Sequence, residues 1–291
     1  MSGPPAAVVF VGTGRAALAL GHVLARGDCA LPLHYVGRRP HAPDHPLFRE
    51  GHARYSDTLR AVPADPAGVL LLAVADDALA EAVGGVRREG PCGPGWSVLH
   101  LSGVHDASIL EPLRPRGCAL GTLHPLQALS RPETALEMLP RSSFTVSGDA
   151  DAQAAARALV ACLGGQALTI PDEGRGLYHA AASLVAGGVP VLMEAATRWM
   201  SQAGGEPEAS RAALQGLLEG VVANLRVEGL GAASGPLIRG DVGTVARHLQ
   251  RLDGDDRDFY AQVSRALLRA FGPTLPPDTR AAFHALLHED P

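Results

Sequence analysis

"AVVFVGTGRAALALGHVL", Ala7–Leu24, decides the fold. It opens as an apolar run, breaks at Gly12 and Gly14, and resumes with helical spacing. That order reads as a strand, a tight turn and an amphipathic helix. The turn has the spacing G-x-G-x-x-A, with Ala17 in the third place. The first glycine permits the strand-to-helix turn, the second lets main chain approach a diphosphate, and the small third residue lets helix and strand pack. Phosphates held there meet free N–H groups and the positive end of the helix dipole. Gly12, Thr13, Gly14, Arg15 and Ala16 are therefore the expected contacts of a dinucleotide.

Which dinucleotide depends on the end of the second strand. An NAD site wants an acid there, bonded to the ribose hydroxyls. This chain reads "HYVGRRP", with Arg38 and Arg39 in that place and no acid before Asp44. Guanidinium groups bind a 2′-phosphate through charge-assisted hydrogen bonds, whereas a carboxylate repels it. The expected cofactor is NADP. In "LLLAVADDAL", Val74 and Ala75 end a strand at the ligand-binding edge and are expected to line the cofactor; Asp76 and Asp77 read as caps of the next helix.

Working outward, short apolar runs near 7–11, 32–36, 68–74, 97–101, 118–122, 142–147 and 166–170 alternate with helical patterns near 15–26, 77–88, 106–115 and 150–163. The stretch 37–52, rich in proline and histidine, reads as a surface loop. From Leu177 onward the periodicity is helical only, with breaks near 204–207, 229–240 and 272–278. The fold class expected is α/β: a doubly wound Rossmann-type parallel sheet over 1–170, then an all-helical substrate and dimerisation domain over 171–291.

Composition narrows the function. In 291 residues, 46% are hydrophobic and 19% charged, as in globular chains. The net charge is −5 with no basic tract, so nucleic acid is not an expected partner. The most membrane-like window, Leu177–Ala196, contains His179, Pro190 and Glu194, and is expected to be a buried helix rather than a membrane span. Cys29, Cys92, Cys118 and Cys162 form no C-x-x-C pair, which suits reduced thiols in a cytoplasm and no metal site. Every basic residue other than histidine is arginine, so lysine chemistry is excluded; Asn224 is the sole asparagine.

Two stretches place candidate chemistry at the ligand edge. "VLHLSGVHD" puts His100, Ser102 and His105 around one strand end, and "ALGTLHPLQAL" puts His124 just past the next, with Pro125 fixing the turn. His100 and His105 read as structural, and Ser102 serves either as a cap or as a partner of the reacting group. His124 is the expected proton carrier, because an imidazole titrating near 6.5 suits that work at neutral pH. In the helical half, His179 and Ser183 share a helix face, as a second catalytic and substrate-binding pair or as mutual hydrogen-bond partners. Arg239 is placed to hold an anionic substrate group, and Asp241 stands either as a helix cap or beside that substrate.

"HLSG", "HPLQ", "YHAAA" and "SGPLIRGD…TVARHL", in that order after G-x-G-x-x-A, resemble a bacterial family. It comprises Rossmann-like proteins carrying a C-terminal domain of unknown function, number 2520, described as NADP- or deazaflavin-dependent oxidoreductases. The resemblance covers nearly the whole chain. It implies a helical second domain similar to that of six-phosphogluconate dehydrogenase, a homodimer formed through it, and NADP binding. Prephenate dehydrogenases are similar in placing a serine after one strand and a histidine-proline after the next, which implies roles for Ser102 and His124 at the reacting group. Pyrroline-carboxylate reductases are similar in fold and bind substrate near a helix start comparable to Ser234–Asp241. The family pattern has an asparagine where this chain reads Gly187-Gly188. The expected activity is hydride transfer between NADP and a small carbonyl, imine or hydroxy compound in an interdomain cleft. A dimeric NADP-binding sensor or scaffold without turnover is the alternative, and a deazaflavin as second ligand stays open.

Overall fold

In the computed structural model, which describes residues 4–129, 131 and 134–287, the apolar runs assemble into one eight-stranded sheet. The strands are β1 (Val8–Val11), β2 (Leu33–Val36), β3 (Ala53–Ser56), β4 (Val69–Leu72), β5 (Ser97–His100), β6 (Ala119–Leu126), β7 (Ser143–Gly148) and β8 (Gln166–Leu168). Their order is β3-β2-β1-β4-β5-β6-β7-β8. All neighbours run parallel except β6 and β7, which pair antiparallel. The helices of this part are α1 (Arg15–Arg26), α2 (Pro46–Arg49), α3 (Leu79–Glu89), α4 (Ala135–Met138) and α5 (Ala150–Cys162).

Strand residues alternate between faces, and each face carries its own core. Val8, Phe10 and Leu99 pack with Leu20 of α1 and Leu159 of α5. Val9, Leu70, Leu72 and Val98 pack on the other face with Val83 and Val86 of α3. At about 25 cal/mol per Å² of apolar surface removed from water, these two layers are what hold the sheet together.

Several expectations are corrected. Residues 37–52 are not all loop: Pro46–Arg49 is a helical turn started by His45, whose ring accepts from the Leu47 N–H, and Leu47 is fully buried. The edge strand β3 follows it, and its sequence "ARYS" is too short and polar to announce itself. The helix expected over 106–115 is a 3₁₀ segment, Ala107–Arg116, because Pro112 and Pro115 remove the N–H groups an α-helix needs. Finally, β6 does not end before His124 but continues through Pro125 to Leu126 along β7. Proline is tolerated there because β5 ends opposite Thr122, leaving that side of β6 open.

The cysteines are the fourth correction. Cys29, beyond the end of α1, is disulfide-bonded to Cys162, the last residue of α5, while Cys92 and Cys118 are free and buried. The two helices lie on one face of the sheet, so a pairing across 133 residues leaves no spacing signal.

The helical half contains α6 (Arg175–Gln202), α7 (Pro207–Glu228), α8 (Val242–Arg251), α9 (Gly254–Phe271) and α10 (Pro277–Leu286). Two compact units, Met1–Ala186 and Gly187–Pro291, divide the chain. They meet within α6, past the turn at 170 where the sequence reading divided it. The second unit has its own core of Leu237, Val245, Leu249, Ala261, Leu268 and Phe283. The helix expected to be buried at Leu177–Ala196 is not: Leu177, Leu184, Val185 and Val191 are all more than half exposed. That helix is also long and apolar enough to cross a membrane. On α7, Leu217 and Val227 are exposed in the same way.

Candidate functional site

The glycine turn comes first. Gly12 adopts φ +114°, and a Cβ on it would lie 2.3 Å from the Ala73 carbonyl oxygen, so both conformation and space demand glycine. Its N–H donates to the Val36 carbonyl, joining the ends of β1 and β2. Gly14 is different. It is the N-cap of α1 with ordinary φ −73°, and a Cβ there would meet nothing within 4 Å. No side chain caps α1, and its first turn carries no acid. Among the described residues, nothing fills the space at Gly14 and no side chain caps those N–H groups, which is the form a diphosphate cradle takes. Thr13 and Ala16 are half-buried, Arg15 is exposed, and Ala17 is fully buried against the sheet.

Val74 lies beside Gly12, and Ala75 is exposed next to it. Asp76 and Asp77 do not cap: Ala75 is the N-cap, without a side-chain bond, and the two acids occupy the first turn of a 3₁₀ segment. Arg38 and Arg39 are exposed beyond β2, with the Arg39 carbonyl accepting from the Tyr55 hydroxyl. Asp44, the first acid past that strand, is ion-paired with Arg49 at 3.3 Å. These residues fit the ribose and diphosphate of a dinucleotide.

The second part lies beyond the carboxyl end of β5, where parallel sheets bind ligands. His100 is fully buried. Its Nε2 donates to the Asp106 carbonyl at 2.9 Å, and its Nδ1 accepts from the Ser102 N–H at 3.2 Å. Both nitrogens are spent on the loop, and burial pushes the ring's pKa down to about 4. Ser102 is also occupied, its Oγ accepting from the N–H groups of Val104 and His105. Gly103 then passes under two rings, since a Cβ on it would lie 2.6 Å from His179 Cδ2 and 2.9 Å from His124 Nε2.

His124, Tyr178 and His179 converge on that point. The Nδ1 of His124 lies 2.6 Å from the Tyr178 hydroxyl, and the His124 and His179 rings meet edge-on with centroids 6.2 Å apart. Burial, then the neighbouring His179 and Arg175, push His124 down to about 4, against the pull of Asp76. The imidazole is thus neutral at pH 7 and does not titrate near 6.5 as the sequence suggested. Burial raises Tyr178, so the phenol keeps its proton. Donor and acceptor in this bond follow the tautomer: with the ring proton on Nε2, toward Gly103, the phenol donates to Nδ1, and with it on Nδ1 the ring donates to the phenol oxygen while the phenol turns to the Thr145 hydroxyl.

Ser183 is exposed, with no hydrogen bond to His179 among the described residues. Arg239 and Asp241 belong to the second unit. There Asp241 caps α8, accepting from the Thr244 N–H and hydroxyl at 2.9 and 2.6 Å, and Arg239 is exposed. Sequence reasoning missed Arg175, Thr122 and Ser147. The Nη2 of Arg175 donates to both hydroxyls at 2.7 Å. The available signal was Arg175 three residues before Tyr178, opposite Thr122 two before His124. A separate cleft of about 380 Å³ opens at the amino ends of β1, β2 and β3, beside His34 and Trp96, away from both parts.

Comparison with known proteins bears on the fold. Residues 4–125 match the Rossmann-like domain and residues 142–267 match a domain of unknown function, DUF2520. The chain thus carries a Rossmann-like domain followed by a DUF2520 domain. No curated protein sequence matches it. Among solved structures, Bacteroides fragilis BF3122, provisionally named an NADP oxidoreductase, is 18% identical with a TM-score of 0.70, covering 90% of this chain and 97% of its own. Pyrroline carboxylate reductase of Plasmodium falciparum, with NADP bound, is 13% identical (TM-score 0.60; 99% and 98% covered). The reductive aminase of Aspergillus terreus, in complex with NADPH and ethyl-5-oxohexanoate, is 17% identical (TM-score 0.60; 97% and 92%). At these identities the likeness is one of fold.

Proposed function

We propose that this protein is an NADP-dependent oxidoreductase acting on a small carbonyl, imine or hydroxy compound. One observation carries the reading: an uncapped helix start with clear space at Gly14 stands at the same sheet edge as the half-buried His124–Tyr178 pair. The nucleotide, when bound, supplies or accepts the hydride. Gly12, Thr13, Gly14, Arg15 and Ala16 hold its diphosphate through main-chain N–H groups, Arg38 and Arg39 take the 2′-phosphate, and Val74 and Ala75 line its path. His124 donates a hydrogen bond from Nε2 to the oxygen or nitrogen being reduced, and Tyr178 backs it through Nδ1. His179 bounds the same point, and the Ser102 turn holds Gly103 beneath it. Ser183 is proposed as a further substrate contact. A second copy of the chain covers the apolar residues left exposed on α6 and α7, giving a homodimer through the helical half.

The test is turnover. Purified protein with NADPH is offered keto acids, aldehydes and cyclic imines, and loss of absorbance of the reduced nicotinamide is followed. Turnover with one class, reduced at least about 100-fold in His124→Gln, supports the reading. NADPH binding with no turnover across the panel would assign the protein to sensing instead.

A further inference from the structure

The start of α6 meets the sheet in two matched steps. Arg175, Tyr178 and His179 lie at i, i+3 and i+4, on one helix face. Across β6 and β7, Thr122 pairs with Ser147 and His124 with Thr145, two successive pairs on one sheet face. A helix advances about 4.5 Å in three residues, and a strand about 6.7 Å in two. Arg175 therefore stands over the first pair while Tyr178 stands over the second. The contacts agree: one guanidinium nitrogen donates to both hydroxyls of the first pair, and the Tyr178 hydroxyl meets His124 in the second.

We propose that Arg175 is a positioning residue: gripping the Thr122–Ser147 pair, it seats α6 so that Tyr178 fixes His124 as the neutral, Nε2-protonated tautomer. Packing alone does not explain an arginine here. Its side chain is 5% exposed, and its Nε and Nη1 are buried without a hydrogen bond. The nearest carboxylate, on half-exposed Asp172, stands 3.6 Å from Nε. Burying so poorly matched a cation is unfavourable, a cost that an apolar side chain of similar length avoids. The charge acts on its neighbours. The groups facing His124 are Arg175, Tyr178 and His179 from α6, His100 from β5, and Asp76 from the segment after β4. The Arg175 cation and the neighbouring rings of His179 and His100 disfavour an imidazolium, and exposed Asp76 opposes them.

The arrangement deepens the function proposed above by supplying a proton path. A proton leaving Nε2 for the substrate is replaced at Nδ1 by the Tyr178 proton. Burial disfavours the resulting phenolate, and the Thr145 hydroxyl and the Arg175 cation act in its favour. No bond other than these O–H and N–H bonds changes, and the proton count balances.

The test uses the ligand-free full chain, so it fails or succeeds independently of nucleotide binding and turnover. Long-range ¹H–¹⁵N NMR of histidine-labelled protein reads protonation and tautomer of His124 between pH 4 and 9. Wild type is expected to be neutral above pH 5, with its proton on Nε2. Arg175→Met is expected to raise the midpoint by about 0.5 or more and to mix the tautomers. Arg175→Lys keeps the charge without the two-hydroxyl grip, so its midpoint stays near wild type while the tautomers mix. Tyr178→Phe mixes them too. A wild-type ring protonated on Nδ1, or Arg175→Met matching wild type in midpoint and tautomer whatever its melting temperature, overturns the proposal. Should Arg175→Met not fold, an unmixed tautomer in both Arg175→Lys and Tyr178→Phe overturns it equally.

Discussion

Lowering the pH from 8 to 5 is expected to cost the first unit about 4 kcal/mol of stability, before most carboxylates titrate. The source is two histidines that the fold keeps neutral. His100 and His124 titrate at about 4 in the folded chain, against 6.5 when unfolded. Burial is the first cause for both, and the bonds of His100 to the Asp106 carbonyl and the Ser102 N–H leave no room for a second ring proton. The folded values are depressed, so the unfolded chain binds more protons between the two midpoints. Each contribution is therefore complete above pH 6.5 and is lost as pH falls toward 4. Integrated to pH 5, each histidine loses about 2 kcal/mol, and near pH 5.25 unfolding takes up about 1.8 protons in all. Buried His22, whose pKa burial also lowers, adds in the same direction. Against a typical total of about 5–15 kcal/mol this is a large share. Urea unfolding followed by Trp96 fluorescence in a Trp199→Phe background reports the first unit alone. His124→Gln is expected to remove about half the pH dependence. A stability flat to within about 1 kcal/mol between pH 8 and 5 would refute the claim that both rings are held neutral.

Two further expectations concern the backbone. Gly14→Ala adds a Cβ in open space, so urea midpoints should hardly move while NADPH affinity falls about tenfold or more; Gly12→Ala meets the Ala73 carbonyl at positive φ and should lose stability as well as affinity. Equal stability losses in the two variants would argue that Gly14 is structural. Reducing Cys29–Cys162 reopens a loop of 133 residues, and the chain-entropy estimate is a loss of up to about 5 kcal/mol. Urea curves with and without a phosphine reductant measure it, and coincident curves would show that the bridge adds nothing.

The legible parts of this chain were those written in local pattern. Four-residue apolar runs such as Val69–Leu72 gave the inner strands, because a strand buried on both faces must be apolar throughout. The edge strand Ala53–Ser56 faces solvent on one side and carries no such mark. The turn at Gly12 and Gly14 was legible because its chemistry is carried by spacing. Arg175 was not, since its meaning depends on Thr122 and Ser147, more than 25 residues away in each case and brought together by sheet register. The same holds for His124: its place at a strand end was readable, but its pKa is set by burial and by neighbours on α6. The apolar window at Leu177–Ala196 has the composition of a core helix, and the single chain leaves Leu177, Leu184, Val185 and Val191 uncovered.

The central claim is that the chain cradles NADP at Gly12–Gly14 with Arg38 and Arg39 on the extra phosphate. Isothermal titration calorimetry of the full chain with NADPH and NADH tests it most directly. The account predicts tighter binding of NADPH by at least about tenfold, a preference lost when Arg38 and Arg39 are both changed to Gln. No heat with either nucleotide, or stronger uptake of NADH, would contradict it.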